Sequence, residues 1–181
     1  MIQTVISLLA TLTLMGDTLI IITLLLIVGS FFKLKLLHQV KKSLSTYNYY
    51  FVFIISLIAT LGSLFFSEVA HLTPCLLCWY QRIFMYPQPL LLYMAFMRIE
   101  KTLTPYLILM NTVGAIIALY HIIIQHMPNL SILPCRMGEV SCTTVQTAWY
   151  GYITIPVMAF TAFTLNILLL TLFNQKTKRS S

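Results

Sequence analysis

The chain of 181 residues is 59% hydrophobic and only 8% charged, with a formal net charge of +7. A soluble domain carries roughly one-quarter charged residues, so this balance excludes one and points to an integral membrane protein. The excess of positive charge is no nucleic-acid footprint either, because it falls in three short clusters between apolar runs and forms no patch or stripe.

The first apolar stretch, "VISLLATLTLMGDTLIIITLLLIVGSFF" at 5–32, carries Asp17 near its middle. At about 1.5 Å per helical residue it would reach about 42 Å, so it is expected to tilt, protrude or break near Gly16. It makes a poor secretory signal, since residues 1–4 carry no positive charge and no small-residue cleavage site follows. Four further stretches, at 49–66, 79–97, 105–127 and 152–173, each approach the roughly 20 helical residues that cross a bilayer core. Pro87 and Pro89 should kink the third span, with Gln88 between them placed to satisfy the backbone groups so released. No linker, repeat or low-complexity tract divides the chain, which reads as one membrane domain over 1–181.

Lys33, Lys35, Lys41 and Lys42 precede the second span, Arg98 and Lys101 follow the third, and Lys176, Lys178 and Arg179 end the chain. Nine of eleven basic residues therefore share one side, leaving Arg82 and Arg136 on the other. Cytoplasmic loops retain Lys and Arg, so the amino terminus is expected outside and the carboxyl terminus in the cytoplasm. All four cysteines then face the oxidising side. Cys75 and Cys78 stand at the outer end of the third span, and Cys135 and Cys142 lie in the loop between the fourth and fifth.

A C-x-x-C pair alone can be a zinc half-site, a redox couple or chance. Here Pro74 suits a helix start, where unsatisfied N–H groups and the helix dipole stabilise a thiolate. Arg82, four residues beyond Cys78, shares its helical face. A static disulfide and a membrane-interface anchor are the plainer readings of the cysteines and the arginine; their proximity favours redox work. The second pair, in "LPCRMGEVSC", can close a small loop around Gly138, and Arg136 favours a thiolate at Cys135 while Glu139 opposes it. Two pairs on one face suggest a relay, because disulfides pass between couples by thiolate attack.

"CLLCWYQR" followed by "MYP", the second external pair and the motif "ITIP" make residues 48–173 resemble the bacterial disulfide bond formation protein B (DsbB) family, in particular its short BdbC-like branch. The resemblance implies an all-α membrane fold, a four-helix transmembrane bundle, to which 5–32 adds an extra N-terminal transmembrane helix. It implies a dithiol:quinone oxidoreductase of the bacterial cytoplasmic membrane that reoxidises a DsbA-like, thioredoxin-fold partner and passes electrons to ubiquinone or menaquinone. Carried over by residue, Cys78 contacts the quinone with Cys75 as its disulfide partner, and Arg82 and His121 support the quinone site. Cys135 forms the mixed disulfide with the partner protein, and Cys142 exchanges with Cys75. Gln81 stands where some members have glutamate, and the segment between Cys135 and Cys142 is shorter than in the enterobacterial proteins. A DsbA-type couple near −120 mV leaves an ordinary dithiol little room to reoxidise it, whereas a lipid-soluble quinone reaches such a site from within the bilayer.

Two rivals remain at this stage: a thiol reductant running in the opposite direction, and a small soft-metal transporter. The second would need intramembrane polar residues along a pathway, and beyond Asp17 and a few such as Asn111 there is little of one. His71 and His126 near the cysteines match no zinc spacing, so no metal is expected. Trp79, Tyr80, Trp149, Tyr150 and Tyr152 read as an aromatic belt at the outer boundary.

Overall fold

The computed structural model describes residues 2–29, 34–98, 103–130, 140–146 and 148–172. Among the described residues six α-helices follow one another: α1 Ile2–Gly29, α2 Leu34–Leu64, α3 Leu76–Met85, α4 Pro87–Arg98, α5 Thr104–His126 and α6 Ile155–Leu172. A π-helical turn at Phe65–Val69 ends α2, and a 3-10 turn at Pro128–Leu130 follows α5. Among the described residues there is no strand, only an isolated bridge between Trp149 and Ile153. The segments Ile2–Leu25, Asn48–Val69, Thr104–His126 and Ile155–Leu172 are each long and apolar enough to cross a membrane.

The third apolar stretch is supplied by α3 and α4 together, in two pieces. The break expected from Pro87 and Pro89 falls at Tyr86, whose N–H still bonds the Arg82 carbonyl. Gln88 repairs it as its position suggested, its Nε2 donating to the Phe84 carbonyl at 2.8 Å. Two expectations change. Gly16 does not break α1, which is continuous, so the excess length is met by tilt or protrusion. The basic stretch ahead of the second span is helical from Leu34 onward, the first part of α2.

The bundle is built around α6, which packs on α5, α2 and α1, while α3 packs on α5 and α4 on α2. Its interior falls into three layers. Cys75, Leu77, Ile124 and Cys142 close the cysteine end; Met85, Ala115, Ala118 and Phe163 fill the middle; Val52, Leu92, Leu107 and Leu170 fill the far end. Small residues on α5 let α6 approach: a Cβ on Gly114 would come within 2.4 Å of the Phe163 ring.

Lipid is as apolar as leucine, so apolar faces alone do not fix which helix meets which. A buried polar knot does. Ser56 of α2, Gln88 of α4, Asn111 of α5 and Asn166 of α6 are all fully buried. Gln88 Oε1 accepts from Asn111 Nδ2 at 2.9 Å, Ser56 Oγ at 3.3 Å and Asn166 Nδ2 at 3.4 Å. Asn166 Nδ2 also donates to Ser56 Oγ at 3.0 Å and to Asn111 Oδ1 at 3.2 Å.

Gln88→Leu takes the acceptor from an Asn111 amide proton and from the Ser56 hydroxyl and releases the Phe84 carbonyl. The expected cost is about 1–2 kcal/mol, which at about 2–4 °C per kcal/mol lowers the melting temperature of detergent-solubilised protein by several degrees. Ser56→Ala, which leaves the shared acceptor in place, should cost less; equal melts for Q88L and the unaltered protein would show that the knot does not hold the bundle.

Candidate functional site

Helix α3 begins at the first cysteine. Cys75 is its N-cap, with extended backbone at φ −76° and ψ 174°, and the Cys75 carbonyl accepts the first helical bond from Trp79 N–H at 3.1 Å. Pro74 thus stands just outside the helix, and its fixed φ sets the entry of the chain. Cys78 lies in the first turn, where backbone N–H groups lack intrahelical partners and favour negative charge. Cys75 is buried and Cys78 half-buried. Their sulfurs are 3.5 Å apart, a contact between two thiols, with Cys75 donating to Cys78. Cys75 precedes the membrane-crossing helix. The hydrogen bond it gives to Cys78, reinforced by burial, pushes its thiol up to about 12 against the opposing pull of His121.

His121 of α5 joins the two cysteine regions. Its Nε2 is 3.7 Å from Cys75 Sγ and 3.1 Å from the Cys142 carbonyl, and its Nδ1 is 3.2 Å from Gln81 Nε2. A carbonyl only accepts, so Nε2 carries the proton, and the Nδ1 lone pair faces the Gln81 amide. The ring therefore holds the Cys142 backbone over Cys75. Buried Cys142 joins Cys75, Leu77 and Ile124 in one cluster, with Cys78 packed against it. The loop is tied at two further points: Gln146 Nε2 donates to the Thr73 carbonyl at 2.9 Å, and Thr154 Oγ1 to Gln125 Oε1 at 3.2 Å.

Arg82 is held against α2. Its Nε donates to Ser63 Oγ and its Nη2 to the Ser63 carbonyl, both at 3.0 Å, and Tyr86 O–H donates to the same Ser63 Oγ at 3.3 Å. The guanidinium lies 5.1 Å from the Trp79 ring centre and 5.8 Å from that of Tyr86. Buried to 9% exposure, it is a cation held in place by three neighbours.

Arg82 and Cys78 line one cavity of about 230 Å³ between α1, α2, α3 and α6, whose other walls are mostly apolar, among them Phe66, Met85 and Met158. A second, smaller cleft of about 20 Å³ lies between Cys75, Cys78, His121, Ser141 and Gln146, with room for about one water. Cys78 borders both spaces. His121 lines the polar cleft and not the apolar cavity, so it stands beside Cys75 and the loop. The ligand atoms of Cys75, Cys78 and His121 all lie within 4.8 Å of one another, a set able to hold a soft cation. His71 and His126 are not in it.

Of the residues singled out in the sequence, Cys75, Cys78, Cys142, Arg82 and His121 are brought into this one region; Cys135, with Arg136, lies outside the described residues. Sequence reasoning passed over Gln81 and Ser63 as site residues. Gln81 had a signal, a polar side chain three residues past Cys78 in an apolar run; Ser63, one serine in a long span, had none. The aromatic residues Trp79, Tyr80, Tyr150 and Tyr152 are exposed beside the site.

Residues 46–173 match the family model described as disulfide bond formation protein DsbB. The SPbeta prophage-derived disulfide bond formation protein B of Bacillus subtilis (strain 168) is 40% identical over 114 residues, 63% of this chain and 76% of its own. Disulfide bond formation protein C of the same organism is 43% identical over 124 residues, covering 68% of this chain and 89% of its own. A probable disulfide formation protein of Coxiella burnetii (strain Dugway 5J108-111) is 34% identical over 125 residues, 68% of this chain and 85% of its own. No solved structure matches. These relatives are named for disulfide formation and lend no support to a reversed reductant or a soft-metal transporter. With its helical membrane bundle and a C-x-x-C pair at a helix start against a second cysteine, the chain belongs to the DsbB family, and is a multi-pass membrane oxidoreductase of disulfide bond formation.

Proposed function

We propose that this oxidoreductase draws electrons from a thioredoxin-fold dithiol protein outside a bacterial cytoplasmic membrane and delivers them to a membrane quinone. The observation that carries the reading is the position of Cys78. It borders a polar cleft shared with Cys75 and the Cys142 loop on one side, and an apolar cavity with a fixed arginine on the other. The cavity suits a quinone in its chemistry: mostly hydrocarbon walls for a lipophilic ring, and Arg82 already held by Ser63 as a cation for a developing oxyanion. A quinone bound there supplies the oxidising power, taking up two electrons and two protons and leaving as quinol.

The chain's own residues perform the rest. A partner thiolate attacks Cys135 of the Cys135–Cys142 disulfide, forming a mixed disulfide and releasing the Cys142 thiolate. The second partner thiol then displaces Cys135, and the partner leaves oxidised. The Cys142 thiolate next attacks Cys75 of the Cys75–Cys78 disulfide and releases Cys78 as a thiolate at the cavity wall; Cys135 then attacks Cys142, which re-forms the Cys135–Cys142 disulfide and releases Cys75, and the Cys75–Cys78 dithiol re-forms its disulfide by giving two electrons and two protons to the quinone. His121 holds the Cys142 backbone for this attack, and the first turn of α3 supports the charge that appears on Cys78. Per turnover one partner dithiol loses two electrons and two protons. The basic clusters support a topology with the carboxyl terminus in the cytoplasm and the cysteines outside, where a dithiol partner would be met.

The test is quinone reduction by purified protein supplied with a reduced thioredoxin-fold protein, each cysteine changed to serine in turn. Every change should abolish turnover, and a reduced partner lacking its second cysteine should be trapped on Cys135 of the otherwise unaltered, oxidised protein as a mixed disulfide visible on a non-reducing gel, a band that Cys135→Ser removes. Turnover that survives Cys78→Ser would refute the scheme.

Protonation supplies a second check. A thiol pushed up to about 12 stays protonated through the physiological range, so at pH 8 a maleimide should modify reduced Cys78 well ahead of Cys75. The Cys75 rate should climb only as the pH nears 12; peptide mapping that finds Cys75 labelled first would reverse the assigned roles.

A further inference from the structure

Helix α1 lies ahead of residues 46–173, outside the family match. Its faces divide sharply. Leu8, Met15, Leu19 and Ile22 are exposed, whereas Ile6, Ala10, Thr13 and Gly16 are buried, a stripe with helical spacing. That stripe lies against α6 with almost no gap: a Cβ on Gly16 would stand 2.8 Å from Thr161 Cγ2. The next residue fastens it. Asp17 Oδ1 accepts from Thr161 Oγ1 at 2.6 Å and Oδ2 from Tyr152 O–H at 3.2 Å. On the other side Leu9 reaches α2, where a Cβ on Gly62 would meet its Cδ1 at 3.3 Å.

Helix α1 therefore bridges α6 and α2, and between those two contacts Leu9, Leu12 and Thr13 line the cavity shared by Cys78 and Arg82. The Thr13 hydroxyl is spent on the Leu9 carbonyl at 2.9 Å, so its proton is not turned to the cavity and this wall offers mainly hydrocarbon. We propose that α1 is a working part of the quinone site: its Leu9–Leu12–Thr13 surface walls the cavity between α2 and α6 and sets how tightly a prenylated quinone is held, with Asp17 as the fastening. This rests on the quinone reading above. Asp17, an intramembrane acid with no place in the thiol relay, acquires a positioning role through Thr161, which itself lines the cavity.

The test uses the full chain in detergent with a prenylated quinone and an azidoquinone analogue. Photolysis of the bound azidoquinone should label the peptide containing residues 9–13. Leu12→Trp, which fills the wall, and Gly16→Leu, which forces α1 away from Thr161, should each raise the quinone KM about tenfold, with a smaller change in kcat. Asp17→Asn, which keeps an acceptor for Thr161, should stay near the unaltered KM, while Asp17→Leu should behave like Gly16→Leu. Leu19→Ala, on the exposed face, is the control. Label confined to α2, α3 and α6 with an unchanged KM for both Leu12→Trp and Gly16→Leu would overturn the wall and leave the quinone reading standing. An unaltered protein that neither reduces nor is labelled by quinone would overturn both.

Discussion

Everything at the cysteine end depends on helices that hydrocarbon gives no reason to associate in one register. Burying leucine against lipid or against another helix is nearly equivalent, so the choice falls to the few groups for which it is not. Gln88 is the centre of that choice. One carbonyl oxygen collects donors from α2, α5 and α6, while the same side chain's nitrogen caps the Phe84 carbonyl across the proline break. A residue that repairs its own helix thereby fixes three others around it. Cys78 on α3, His121 on α5 and Ser63 on α2 hold their mutual positions because the helices carrying them are indexed to this point.

Sequence showed the parts of the protein whose physics is local. Span lengths, the basic clusters, the proline break and the thiol pair at a helix start each follow from a short window, and the helical bundle has the elements they imply. Hydropathy is nearly silent about rotation, however. A helix such as α6, "IPVMAFTAFTLNILLLTL", is apolar on every side, so its sequence does not say which face meets α5 and which meets α1. Arg82 shows the limit best. Its spacing put it on the helical face of Cys78, and the two do line one cavity, but Ser63, the residue that holds the guanidinium, comes from another helix. Gln81 likewise looked like a departure from a pattern, and its use as the partner of the His121 ring appears only when α3 meets α5.

The arrangement separates two chemistries that interfere when mixed. Thiol exchange needs water and mobile protons, whereas a lipophilic oxidant needs a dry wall and a place to enter from the bilayer. Under the proposed function the polar cleft and the apolar cavity would serve these separately, and one sulfur borders both. The rings of Trp79, Tyr80, Tyr150 and Tyr152 are exposed, and amphipathic rings of this kind settle between hydrocarbon and headgroups. The left-handed turn at Tyr150 and Gly151 belongs to this rim, and its φ values of 51° and 82° let the chain reverse between Trp149 and Ile153.

The hydrogen bond from His121 reaches the peptide oxygen of Cys142 and not its sulfur. A carbonyl is indifferent to oxidation state. The grip therefore does not depend on whether the side chain beside it is a thiol, a thiolate or half of a cystine, and the loop would stay moored through the exchange proposed for its sulfur.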